Sequence, residues 1–447
     1  MKRTMTGKEN LLIATMLFGL FFGAGNLIFP AYMGQLAGKN VWSAIAGFII
    51  TGVGLPLLGV AAIGISKSDG LIALSGKVGQ SYSVFFTCAL YLTIGPFFAI
   101  PRCATVPFTV AVSNQLPARY ETPALAVFSL IFFVLVYLFS RNPGKILTYV
   151  GKVLTPVFLL FLALLVVTAL LRPMASIADL EPMGAYREQA FFTGFLEGYN
   201  TMDALASLAF GIIVVNVIRT LGIEQPQYVA KCTAKAGIFS CAMMAVIYFA
   251  VTVVGAQSRG AGVQCSNGGE VLALLANHYF GKAGAMFLSA TVTLACLKTS
   301  VGLITSCAET FTVLFPKGPG YRVWAALFSL VSFLIANIGL NRITDYSLPV
   351  LMLLYPLAIT LILLGLFGRW FHHDPAIYRF VTGFTLLAAL LDFFKALPGS
   401  VSAFLHLDGA IALAEKFLPF YALGIGWICP AALGLAVGML YRRVHRA

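Results

Sequence analysis

Long apolar runs follow one another along almost the whole of this chain, near residues 11–33, 41–65, 81–112, 123–139, 147–171, 191–218, 233–256, 284–313, 323–340, 347–367, 377–397 and 419–440, about twelve in all. A helix needs about 20 apolar residues to cross the hydrocarbon of a bilayer. Inside that hydrocarbon every backbone N–H and C=O must be bonded within its own segment, so runs of this length fold as helices. Charged residues make up only 10% of the 447 and hydrophobic residues 60%, whereas a soluble domain covers its surface with about 25% charged residues. The expectation is an all-α polytopic membrane protein bathed in membrane lipid. The third and eighth runs are long and predict tilted helices. The third carries Pro96, Pro101 and Pro107, tolerated where neighbouring helices satisfy the freed backbone.

The formal net charge of +13 is spread in short basic clusters between the runs. Such clusters orient a membrane protein and do not form the single basic face that nucleic acid requires. With the N-terminus in the cytoplasm, the inner loops hold Lys67, Lys77, Arg141, Lys145, Arg219, Lys231, Lys235, Lys317, Arg322, Arg369, Arg379, Arg442, Arg443 and Arg446. The inside excess is about two to one, as cytoplasmic loops require, and both termini come out cytoplasmic. Asp179, Glu181, Glu188 and Glu270 fall outside. Lys2, Arg3 and Lys8 precede the first run without a small-residue cleavage site, so that run reads as a retained helix. None of the eight cysteines forms a Cys-x-x-Cys pair, which argues against a disulfide framework or metal site. His278, His372, His373, His406 and His445 lie in or near expected loops, which disfavours a histidine proton relay within the membrane. No His/Asp/Glu catalytic cluster falls in the runs, so the chain reads as a non-enzyme without catalytic residues. Asp392, near the end of the eleventh run, reads as interfacial.

Two of the runs are interrupted. The first contains Gly23-Ala24-Gly25-Asn26 near its middle, and the sixth contains Glu197-Gly198-Tyr199-Asn200-Thr201-Met202-Asp203. Glycine there weakens regular helix and lets a ligand approach the backbone. Unwound backbone at membrane depth survives only where it lines a cavity or is buried in protein. The breaks fall five runs apart, in the first and the sixth, so the second set starts from the opposite side of the membrane, as in an inverted repeat of five helices. Paired breaks at matching places in two halves point to a transporter's binding site. Freed N–H groups at half-helix N-termini suit a carboxylate, and freed carbonyls suit a cation. The spacing thus nominates Gly23, Ala24, Gly25, Asn26, Gly198, Tyr199, Asn200 and Thr201 for substrate. The plainer alternative is that the glycines merely let helices pack closely.

In the eighth run Cys296, Thr299 and Ser300 share one helix face. Hydroxyls plus backbone carbonyls suit a small monovalent cation better than a transition metal, and carbonyls near Gly19 and Phe22 complete a shell if the eighth run passes the first. Alternatively, the hydroxyls bond to the carbonyl four residues back. Lys298 is a charge deep in a span, a functional-site hypothesis by default. It pairs with Asp203, Glu197 or Glu309, serves coupling, or stands where a cation would. Arg102, in the third run, is either an extracellular gate residue or a snorkelling arginine.

The stretches at 7–10 (Gly-Lys-Glu-Asn), 21–30 (Phe-Phe-Gly-Ala-Gly-Asn-Leu-Ile-Phe-Pro), 95–102 (Gly-Pro-Phe-Phe-Ala-Ile-Pro-Arg), 197–206 and 298–300 resemble those of the branched-chain amino acid:cation symporters, the BrnQ or LIVCS family. The resemblance covers nearly the whole chain. It implies uptake of leucine, isoleucine and valine across the bacterial cytoplasmic membrane, coupled to Na+ or H+, with no other cofactor and no nucleic-acid partner. It also implies twelve helices in a LeuT-like 5+5 inverted repeat: residues 1–172, then 173–367, followed by two extra helices in 368–447. By the same resemblance Asn26 matches a sodium ligand of some relatives, and Gly19, Phe22, Cys296, Thr299 and Ser300 match a second sodium site. The competing reading is a proton-coupled transporter of the same fold for another amino acid or small solute. A channel is disfavoured by the single asymmetric pair of breaks.

Overall fold

The computed structural model describes residues 5–66, 70–113, 117–141, 146–223, 225–398 and 408–445. Lys2, Arg3, Lys67, Lys145, His406 and Arg446 lie outside the described residues. The first segment is α1 (Gly7–Phe21) and α2 (Gly25–Ala37); the second is α3 (Val41–Ile49) and α4 (Leu55–Ile65), followed by a short connector, α5 (Leu71–Ser75). The third is α6 (Gln80–Leu92) and α7 (Ala99–Phe108), the fourth α8 (Ala118–Ser140) and the fifth α9 (Ile146–Leu171). The sixth is α10 (Ala190–Glu197) and α11 (Asp203–Thr220), followed by α12 (Pro226–Gln257), α13 (Gly268–Leu314), α14 (Tyr321–Ala336), α15 (Leu340–Phe367) and α16 (Pro375–Ala396). A short α17 (Asp408–Phe417) leads to the twelfth segment, α18 (Ile428–His445).

Both expected breaks are present. Helix α1 opens on a capping box, Thr6 with Glu9, and ends at Phe22, whose backbone is extended. The chain re-enters helix at Gly25. In the sixth segment one turn of 3-10 helix spans Gly198–Thr201, and Met202 is left-handed at φ 61° before α11 begins. The packing is reciprocal. Helices α1 and α2 lie along α12, while α10 and α11 lie along α3 and α4. Each broken segment is thus cradled by the helix that follows the other break. Glycines make this approach possible, since lipid supplies no hydrophobic drive and close van der Waals packing must substitute. A Cβ on Gly34 would fall on the Thr252 carbonyl, and one on Gly194 on the Ala44 carbonyl.

Three expectations change. The last run yields a helix only from Ile428, because Phe420 and Gly424 take left-handed conformations and turn the chain back. His278 sits within α13, whose backbone kinks at Gly281 (φ 61°) into a separate arm before the spanning part. Asp392 is not interfacial: it is 2% exposed, for a reason taken up below. The eight cysteines are all free thiols.

Gly34→Ala is expected to destabilise the protein by about 1–3 kcal/mol through overpacking. Gly302→Ala, inside α13 with open space around it, is expected to be neutral or stabilising by up to about 1 kcal/mol from helix propensity. Thermal unfolding in detergent reads the difference, and equal melting points would remove the backbone contact between α2 and α12.

Candidate functional site

The two breaks meet at the centre of the molecule. Asn26, in the first turn of α2, is buried, as is Asp203, the first residue of α11. Asn26 Nδ2 donates to Asp203 Oδ2 at 2.6 Å, and the Tyr248 hydroxyl of α12 donates to the same oxygen at 2.7 Å. Asn26 Nδ2 also bonds Tyr248 Oη, while its Oδ1 accepts from Gly23 N–H at 2.7 Å. One asparagine therefore closes the first break and ties it to the second. The N-termini of α2 and α11 both point inward, where their first N–H groups lack partners within the helix and their dipoles favour negative charge.

A cavity of about 50 Å³ lies between the breaks. Gly23, Ala24, Gly25 and Asn26 line it from one side and Asn200, Thr201, Met202 and Asp203 from the other. Leu20, Phe21, Ile94, Ala206, Phe210 and Leu303 supply an apolar wall, and Thr299 reaches it from α13. Gly198 and Tyr199 do not line it. Gly198 faces Thr51 of the second segment, which leaves no space for a side chain, and Tyr199 stacks on Tyr355 with centroids 3.9 Å apart.

Arg102 caps one end. It is 2% exposed, so it does not snorkel. Its Nη1 donates to the Asn200 carbonyl at 2.8 Å, its Nη2 bonds Ser347 Oγ of α15, and its guanidinium lies 5.0 Å from the Phe29 ring centroid. Glu197 faces both Arg102 and Asn200. One guanidinium thus pins α2, α7, α15 and the second break together.

The residues nominated for a cation divide. Thr299 Oγ1 donates to the Ala295 carbonyl at 3.1 Å, and its methyl lies 3.4 Å from where a Gly23 side chain would begin. Ser300 Oγ is buried without a hydrogen-bond partner among the described residues, and Cys296 and Ser300 face Cys103 of α7. Phe22 stacks on Phe18. Lys298 Nζ sits 3.1 Å from the position of a Gly19 Cβ. It makes no ion pair with Asp203, Glu197 or Glu309 among the described residues: positions 298 and 300 point about 200° apart on a helix, so the ammonium lies against α1 instead. Sequence reasoning missed Tyr248, Ser347 and Cys103. Tyr248 is one polar residue in an apolar stretch and Ser347 and Cys103 carry no motif of their own, and only the packing of α12, α15 and α7 brings them to the site.

The family model for the branched-chain amino acid transport protein matches residues 6–445. The chain is 51% identical to the branched-chain amino acid permease BrnQ of Lactobacillus delbrueckii subsp. lactis, over 98% of this chain and 97% of that protein. It is 42% identical to the permease BrnQ of Bacillus subtilis, over 98% of both. The inward-facing structure of Mhp1 superposes with a TM-score of 0.62 over 97% of this chain and 91% of that one, at 13% identity, a likeness of fold. The chain belongs to the branched-chain amino acid transport protein family, and it is a multi-pass membrane transporter of LeuT-like fold and not an enzyme.

Proposed function

We propose that this chain carries leucine, isoleucine and valine into the cytoplasm by alternating access, as a symporter coupled to a monovalent cation. The observation that carries this reading is the cavity where the N-termini of α2 and α11 converge beside an apolar wall. The substrate carboxylate meets the N–H groups at Ala24 and Gly25, beside Gly23, whose own N–H is held by Asn26 Oδ1, where the helix dipole is favourable. Its ammonium meets Asn200, Thr201, the Asp203 carboxylate and carbonyls of the second break. Its branched side chain lies against Leu20, Phe21, Phe210 and Leu303. Arg102 is the gate, closing one end by holding four segments at once. Residues 1–172 and 173–367 act as the two repeats, a division that the reciprocal packing of the broken segments supports, with 368–447 appended. Both termini are cytoplasmic.

Sodium is the coupling ion of this reading, held by the hydroxyls of Thr299 and Ser300 with carbonyls near Gly19 and Phe22, so that ion and substrate favour the same state and bind cooperatively. One observation favours the second reading, coupling to H+: the Lys298 ammonium already stands beside Gly19. Radiolabelled leucine uptake into proteoliposomes under imposed sodium or pH gradients separates the two, and uptake that ignores both gradients would falsify symport.

Replacing Thr299 and Ser300 by alanine is expected to raise the sodium concentration for half-maximal uptake while leaving the order of Leu, Ile and Val unchanged. Normal sodium dependence in the double variant would move the ion elsewhere. Asn26→Ala strands the Gly23 N–H and removes a donor from Asp203. With about 1–3 kcal/mol at stake for such buried groups, leucine binding is expected to weaken by roughly 10- to 100-fold. Calorimetric titration of the purified variant checks this, and unchanged affinity would dissociate the Asn26 network from the substrate.

A further inference from the structure

The cavity accounts for Asp203 but not for a second buried carboxyl behind it. Asp392, on α16, is 2% exposed, and neither of its oxygens has a hydrogen-bond partner among the described residues. The turn at 420–427 folds back over it. Gly424 packs there against Leu196 of α10 and Met352 of α15, and Trp427 is 6% exposed. Asp392 faces Tyr199 of the second break and Tyr421 of the turn, and Trp427 faces Tyr199. The Tyr199 hydroxyl and the Trp427 Nε1–H are likewise buried without partners among the described residues. Tyr199 stacks on Tyr355, whose hydroxyl is again unpartnered and which faces Thr201 and Asp203 at the cavity. A file of underbonded polar groups thus runs from an outlying helix to the substrate site.

Buried polar groups are ordinarily bonded, so each orphan needs a reason. A buried carboxylate without a hydrogen bond, whose nearest ammonium is bonded elsewhere, is costly, and a proton removes that cost. A metal ion fits less well. It needs a shell of several oxygens, whereas Asp392 faces two phenols, Tyr199 and Tyr421, and the group beyond Tyr199 is an indole N–H, which repels cations. The charged groups nearby are accounted for. Lys395, one turn along α16, donates to Glu415 Oε1 at 3.2 Å and to the Tyr421 carbonyl at 3.4 Å, and lies 4.6 Å over the Tyr421 ring.

We propose that Asp392 is a proton-binding site, separate from the cation positions of α13, whose protonation state is transmitted to the second break through Tyr199 and Tyr355. Adding one proton to one oxygen forms an O–H bond and cancels one negative charge, and bulk water supplies and takes back the proton. Protonated, Asp392 lets the 420–427 turn pack closed behind the break. Ionised, it draws the Lys395 ammonium away from Glu415 and loosens that turn. Only the final step, an effect on leucine exchange, rests on the transport reading.

Two measurements on the full chain test this. Trp427 is isolated as the sole tryptophan by W42F, W324F and W370F, and its fluorescence is followed between about pH 5 and pH 9, the range that a buried carboxyl reaches. A single titration is expected, abolished by D392N and displaced by D392E; the readout needs no substrate. Emission that is flat with pH in the folded triple variant, or a titration that survives D392N, overturns the proposal. If D392N does not fold, the D392E midpoint decides: displacement supports the site, and an unmoved midpoint overturns it. Leucine counterflow then reads the coupling. D392N is expected to exchange at the rate of the acidic limb at every pH, and Y199F to keep the Trp427 titration while losing the pH dependence of exchange. A D392N counterflow profile identical to that of the unsubstituted chain overturns the transmission.

Discussion

Everything at the centre of this molecule is organised around the hydrogen bond between Asn26 and Asp203. Each of two helices gives up its internal bonding halfway across the membrane, where no water replaces it. The asparagine supplies part of what is lost by accepting from Gly23, and spends its donor capacity on Asp203. The aspartate stands at the N-terminus of α11, where a negative charge is favoured. Tyr248 of α12 joins both. Because α12 also carries α1 and α2 along its length, the network couples the two halves of the first segment to the second break. A relative movement of the segments has to break or carry these bonds, which is what a transporter's alternating states require of a fixed central site.

The peripheral elements follow from that centre. Arg102 extends the tie towards one end of the cavity through Asn200, Ser347 and Phe29. Glycines set how closely the broken segments approach their cradles: α2 on α12 and α10 on α3 touch backbone to backbone. In lipid this packing replaces the hydrophobic drive of a soluble core. The same closeness fixes the register of the two breaks, since Gly25 has the Thr201 backbone for a neighbour.

Much of this was legible in the residues because it depends on local chemistry. Apolar length marks the spans, and Gly-Ala-Gly-Asn marks the first break, since no stable helix at membrane depth tolerates that run without a reason. The second break was legible from Glu197 to Asp203, but not which of its side chains turn inward. Gly198 and Tyr199 point away because the 3-10 turn rotates them towards Thr51 and Tyr355. Tyr248 was illegible for the opposite reason: one tyrosine among apolar neighbours carries no local pattern, and its role exists only where α12 crosses both breaks. Lys298 leaves an ion pair, a coupling role and a charge in place of a cation all open in the sequence; the structure sets its ammonium against Gly19 of α1.

Asp392 shows the limit most clearly. Its distance from the helix end places it at the interface, and that inference holds only when nothing folds back over the end. Here the left-handed residues Phe420 and Gly424 return the chain over α16 before the last span begins. A turn that the apolar pattern merges into a membrane helix therefore converts a surface carboxyl into a buried one. Burial in turn connects it, through two stacked tyrosines, to the break that lines the central cavity. The turn before the last helix is therefore packed onto α10 and α15, directly beside the second break.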